Sequence, residues 1–189
     1  TFTVVIFFIN GINSLIAWNT VLAGLDFFAN SFSEYNVYSF LPVPLFVAYL
    51  LMGILYHDIS NRFKYVSLII VGNIIVNIAM VAILVFTIVF KQQLIGFILM
   101  LVSSFVIGIG ANTSQLTFFA MINYLSQNIV SKYTVGTAAS GLLITIIRAI
   151  ITAIFGSDDD SVTPIIIYFA ITLAINTFNI FLNIRFCRS

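Results

Sequence analysis

Two ionisable side chains of opposite sign, Asp26 and Arg148, stand deep inside long apolar runs of this sequence. Counting inward at roughly 1.5 Å per residue puts each about two helical turns from the same membrane face, so their depths match. The match predicts a direct or water-bridged ion pair, because a charge inside a bilayer costs several kcal/mol unless it is paired or hydrated. Pairing alone would justify burying both groups, so the pair reads equally as a structural clamp and as part of a transport path. Gln115 is the third residue of interest. It belongs to a stripe, Gly108, Asn112, Gln115 and Phe119, whose spacing keeps the side chains on one face of a helix.

Similar stripes run through other segments. Gly141, Thr145, Arg148 and Thr152 share a face, as do Thr172, Asn176, Asn179 and Asn183, with a shorter pair at Asn73 and Asn77. Amides and hydroxyls of this kind glue helices together, at about 0.6 kcal/mol for an average interhelical hydrogen bond. That reading is preferred for the asparagine stripes, whereas Gln115 and Arg148 are taken as functional. Other reactive groups assemble nothing. His57 beside Asp58 reads as an interfacial turn, and Asp158, Asp159 and Asp160 read as a solvated loop, a poor cation cage. One histidine, one cysteine (Cys187) and no intramembrane carboxylate pair give no nucleophile–base or metal set. The chain is therefore expected not to be an enzyme and to need neither cofactor nor metal.

These residues must be held by elements that live in lipid. Of 189 residues, 61% are hydrophobic and 7% charged, and the mean hydropathy is +1.17. Seven Lys and Arg with six Asp and Glu cannot cover a water-soluble surface of this size, so the bilayer is the first partner. A net charge of +1 gives no polyelectrolyte attraction, and nucleic acid is excluded as a partner. The single cysteine excludes an internal disulfide.

Six apolar runs are expected to cross the membrane as one all-α bundle and a single domain over 1–189, with helices at about 3–31, 35–56, 65–90, 94–125, 133–155 and 164–184. The first run is too long and too polar inside for a signal peptide. The missing initiator Met implies a trimmed or omitted start. Six crossings return both termini to one side. Sorting the loops by parity puts Arg62, Lys64, Lys132, Arg185 and Arg188 on that side, against Lys91, Glu34 and the aspartate triplet on the other. Positive charge marks the cytoplasmic face, or the matrix face of a mitochondrial inner membrane. Gly136, Ser140 and Gly141 form a small surface for close helix packing. Pro42 and Pro44 are expected to kink or loosen the second helix.

The run Trp18-Asn19-Thr20-Val21-Leu22-Ala23-Gly24-Leu25-Asp26-Phe27-Phe28 resembles the first-helix signature of equilibrative nucleoside transporters. Ala138-Ala139-Ser140-Gly141-Leu142-Leu143, with Thr145, Arg148 and Thr152, is similar to that family's fifth helix, and the family interval back from Gly141 reaches Gln115 at the fourth-helix glutamine. The resemblance implies that Trp18 and Asn19 line a central cavity, that Gln115 hydrogen-bonds a nucleobase or ribose, and that Arg148, with Asp26, joins a polar network near the extracellular side. Four positions depart from the family pattern or align loosely with it. Gly136-Thr137 stands where Gly-Gln is usual, Gly110 or Ala111 falls at the small fourth-helix position that is usually glycine, and Val43 and Phe46 fall near the second-helix gate.

Family members have eleven major-facilitator-like helices, six and then five, with substrate between the halves. The six segments here correspond to the amino-terminal half. The expectation is a facilitative or proton-linked carrier of nucleosides or nucleobases that needs a second half. The alternative is a truncated, transporter-like structural subunit of a large membrane complex without transport activity. Either would reside in the plasma membrane or an organelle membrane, the mitochondrial inner membrane included.

Overall fold

A computed structural model describes residues 2–122, 127–156 and 162–186. The aspartate triplet, Cys187 and Arg188 lie outside the described residues. The chain forms α1 (Phe2–Ala23), α2 (Leu25–Ser31), α3 (Val37–Phe40), α4 (Pro42–Ser60), α5 (Tyr65–Val89), α6 (Leu94–Ile122), α7 (Gln127–Phe155) and α8 (Val162–Phe186). Among the described residues six stretches are long and apolar enough to span a bilayer, with α3 and α4 counting as one from Val37 to Ser60. The protein is a multi-pass, all-helical membrane bundle.

Two expected helices are interrupted. The first breaks at Gly24, where α8 comes so near that a Cβ would overlap the Ile165 side chain; α2 then carries Asp26 as a separate short helix. In the second, the helix is broken at Leu41, directly before Pro42. Pro42 opens α4, so both prolines fall in a first turn whose N–H groups have no intrahelical partner in any case. The expected loosening of the second span thus takes the form of a break and a new helix start. The helix continues to Ser60, leaving only residues 61–64 as the turn before α5. The fifth span begins at Gln127, six residues earlier than its apolar pattern indicates.

Helices approach through paired glycines. Gly11 of α1 and Gly136 of α7 face each other, and a Cβ on Gly11 would collide with the Tyr133 carbonyl while one on Gly136 would collide with that of Phe8. Ser140, on the same face of α7, is fully buried, so the small surface does pack a neighbouring backbone. Gly72 of α5 and Gly110 of α6 make a second such crossing: a Cβ on either would stand 2.7 or 2.6 Å from the other's carbonyl oxygen. Helix α6 is thereby pressed against α5 on one flank and, through Gly108 beneath Leu45 and Ala48, against α4 on the other.

The asparagine stripes are glue, as expected. Asn13 of α1 donates to Asn73 of α5 at 3.0 Å and to Asn176 of α8 at 2.9 Å, and Asn176 donates to Asn77 at 2.8 Å. Asn10 and Asn183 exchange hydrogen bonds, and the hydroxyls of Thr20 and Thr172 meet at 2.6 Å. On the opposite flank, Phe97 of α6 stacks on Tyr35 at 4.7 Å between ring centres and takes the edges of Phe32 and Phe40, which fixes the α2–α3 elbow.

Replacing Gly136 by Leu should cost about 1–3 kcal/mol through overpacking against α1. Gly53→Ala, where a Cβ meets nothing within 4 Å, should be neutral or stabilising by up to about 1 kcal/mol. Thermal unfolding of the detergent-purified variants reads both, and equal melting temperatures would contradict the α1–α7 contact.

Candidate functional site

Helix α7 has three distinct faces. Tyr133, Gly136, Ser140, Ile144 and Ile151 are buried and form one narrow stripe, which packs chiefly on α1. Val135, Leu142, Ile146 and Ile150 are exposed apolar residues suited to hydrocarbon. Between these faces runs the polar stripe expected from the sequence, and it is open: Thr145 and Thr152 are exposed, and Gly141 and Arg148 are partly so. The asparagine stripe of α8 is buried, so the two amphipathic helices spend their polar faces differently.

Arg148 and Asp26 form the expected ion pair directly, with Nη2 to Oδ2 at 2.7 Å. It is the only ion pair among the described residues. Tyr38 of α3 donates to the other carboxylate oxygen at 3.0 Å, so Asp26 is held by α3 and α7 together. The two side chains are 44% and 43% exposed. Asp26 was expected well inside the first span, but that span ends at Ala23 and Asp26 stands beyond it on α2, whereas Arg148 lies within the span Gln127–Phe155. Hydrocarbon solvates neither group, so the pair needs water or protein around it.

Asn19 lies on the same α1–α7 seam. Its Nδ2 donates to Ser140 Oγ at 2.8 Å, and Ser140 passes its own proton to the Thr137 carbonyl at 2.7 Å. The amide lies 3.8 Å from the place a Gly141 Cβ would occupy, so the small residue leaves room for it. Trp18 turns the other way, edge-on to Phe46 of α4 at 6.3 Å. Gln115 sits on α6 between Asn112, which donates to the Tyr49 carbonyl at 2.8 Å, and Phe119, whose ring meets Tyr133 at 5.5 Å. Its Oε1 is enclosed without a hydrogen-bond partner. The structure thus joins Asn19 to α7, Asp26 to Arg148 and Trp18 to α4. No hydrogen bond among the described residues links Gln115 to Trp18, Asn19 or Arg148.

Sequence reasoning missed three tyrosines. Tyr38 falls inside the run 35–56 expected as one helix, and the break after Phe40 sets it on the separate α3. Tyr49 and Tyr133 have enclosed hydroxyls with no partner meeting hydrogen-bond geometry, and the Ser14 hydroxyl close to Tyr133 is already engaged with the Gly11 carbonyl at 2.7 Å and Thr137 at 3.3 Å. The signal was available, because a tyrosine inside an apolar run brings a hydroxyl that must find a partner. His57 is exposed at the end of α4 with Asn61 at 3.4 Å, an interfacial position. Among the described residues no group of three or more His, Cys, Asp and Glu side chains gathers.

The fold defines a helical multi-pass membrane protein, and the site a polar face along one of its apolar helices, α7. No family model matches the chain, and no curated protein matches it either.

Neutralising either partner of the pair, by Asp26→Asn or Arg148→Gln, should cost about 1–2 kcal/mol, the lower part of the range for charged hydrogen bonds because both groups are half exposed. The double swap Asp26→Arg/Arg148→Asp should recover most of that loss in thermal unfolding. A swap no more stable than the single variants would show that the pair does not tie α2 to α7.

Proposed function

We propose that this bundle forms one wall of a facilitative or proton-linked carrier for nucleosides or nucleobases, working by alternating access against a second helical half. One observation carries the reading: along α7, a helix long and apolar enough to cross a bilayer, the Thr145 and Thr152 hydroxyls are exposed and Arg148, paired with Asp26 of α2, is partly so, and lipid penalises such groups. A face of this kind belongs beside an aqueous path or another polar surface. Next to it, Trp18 offers an aromatic surface for stacking a base, and the amides of Asn19 and Gln115 combine donors with acceptors. The Gln115 Oε1 is unpartnered but enclosed, so it would accept from a ligand N–H only once helix movement uncovers it. Helices α1, α4, α6 and α7 would line the path, with α5 and α8 behind, as in the amino-terminal half of a major-facilitator-like carrier. The opposite wall would come from more of the same polypeptide or from another chain. The loop charges favour a cytoplasmic or matrix location for the face on which α1 begins.

A second reading has its own support. Asp26 is satisfied by Arg148 and Tyr38 without any substrate, which suits a structural subunit whose open α7 face is covered by a neighbouring protein of a large membrane assembly.

Liposomes reconstituted with the protein as isolated from its native membrane separate the two. Carriage predicts saturable uptake of labelled adenosine or uridine, accelerated by unlabelled nucleoside inside, and a loss of roughly tenfold or more in Gln115→Leu. The absence of flux above empty vesicles, from a preparation whose mass reveals stoichiometric partner subunits, would reject carriage in favour of the architectural role.

A further inference from the structure

The turn between α4 and α5 carries a feature that neither reading uses. Arg62 and Lys64 are exposed there and make no ion pair among the described residues. Phe63 between them is a large exposed aromatic. The turn occupies residues 61–64, just past one span that ends at Ser60 and just before another that starts at Tyr65. These three side chains therefore lie at the boundary between hydrocarbon and water, where a phospholipid keeps its phosphate.

Beneath them the end of α4 is hollowed. Leu55, Asp58, Ile59, Arg62 and Phe63 line a groove of about 260 Å3, several times the roughly 30 Å3 that one water occupies in the liquid. Their spacing follows one helical face through the helix end and into the turn. The same face continues toward the middle of the span as an exposed ridge of Val47, Leu51 and Leu55, four residues apart. Eight residues of helix give that ridge a length of about 12 Å. Basic heads above an apolar channel repeat the layout of a phospholipid, phosphate above acyl chain. Asp58 is the one acidic member; it lines the groove below Arg62 without pairing with it.

We propose that this groove is a binding site for one anionic phospholipid, with its phosphate held by Arg62 and Lys64, its glycerol region against Phe63 and Ile59, and an acyl chain along Leu55, Leu51 and Val47. Charge complementarity selects the occupant. Two unpaired cations attract an anionic headgroup, while the opposing charges of a zwitterionic one largely cancel at this distance. The site does not depend on what the protein carries.

The test uses the purified full chain, alone or in its native complex, with phosphatidylglycerol and phosphatidylcholine of matched acyl chains. Native mass spectrometry should show phosphatidylglycerol retained in preference to phosphatidylcholine, and phosphatidylglycerol should raise the melting temperature. Affinity should fall as salt rises from low to several-hundred millimolar, which needs no variant. Arg62→Gln/Lys64→Gln should weaken phosphatidylglycerol binding roughly tenfold to thirtyfold and leave the lipid-free melting temperature unchanged, since both side chains are exposed and unpaired. Lys91→Gln, at the opposite end of the bundle, should bind as the parent does. Equal retention of the two lipids, salt-independent binding, an unaffected double variant, or full reproduction of the thermal shift by inorganic phosphate would each overturn the proposal.

Discussion

Asn13 of α1 gives both its amide hydrogens to other asparagines, one on α5 and one on α8. In water such bonds would contribute little, because solvent competes for every donor and acceptor. In hydrocarbon nothing competes, and an amide turned toward lipid would go unsatisfied. The register of α1, α5 and α8 is therefore set by the need of Asn10, Asn13, Asn73, Asn77, Asn176 and Asn183 to find one another. With that side of α1 committed, the helix meets α7 along the Gly11–Gly136 crossing and α4 through Trp18. The polar face of α7 and the open surface of α4 follow from the same commitment.

The two kinds of contact divide the work. Glycine crossings bring backbones together and maximise dispersion at α1–α7 and α5–α6, while amide pairs fix which residues lie opposite each other. Helix α7 relies almost wholly on the first kind. Its buried stripe is one residue wide, and its hydrogen bonds to other helices are with Asn19 and Ser14 near the middle and with Asp26 and Tyr168 near the far end. A helix held along one line can carry a polar face on one side and an apolar face on the other without conflict, which is how α7 presents both.

Much of this was legible in the chain itself. Spans follow from composition summed over some twenty residues, so short interruptions do not hide them. The ion pair could be foreseen because Asp26 and Arg148 are the charges that interrupt the apolar runs, even though the first span ends at Ala23, before Asp26. The asparagine glue was legible from spacing. What escaped depends on tertiary approach or on where a helix chooses to begin. The break at Gly24 falls where Ile165 of α8, 141 positions away in sequence, leaves no room for a Cβ. Pro42 and Pro44 announce an interruption of the second span, but not that it takes the form of a new helix opened by Pro42. Tyr38 acquires its role from a four-residue helix that no periodicity could announce. The surroundings of Gln115 depend on how α4, α6 and α7 converge, which its stripe could orient without furnishing the neighbours.

Trp18 is the only tryptophan in the chain. It stands partly exposed at the seam of two spans, with the ring of Phe46 against its edge. Indole emission shifts with the polarity and mobility of its surroundings, and here every photon comes from one site. The unmodified protein thus carries its own optical gauge of whether the α1–α4 seam is wet, dry or occupied, legible in detergent, nanodisc or native membrane extract alike.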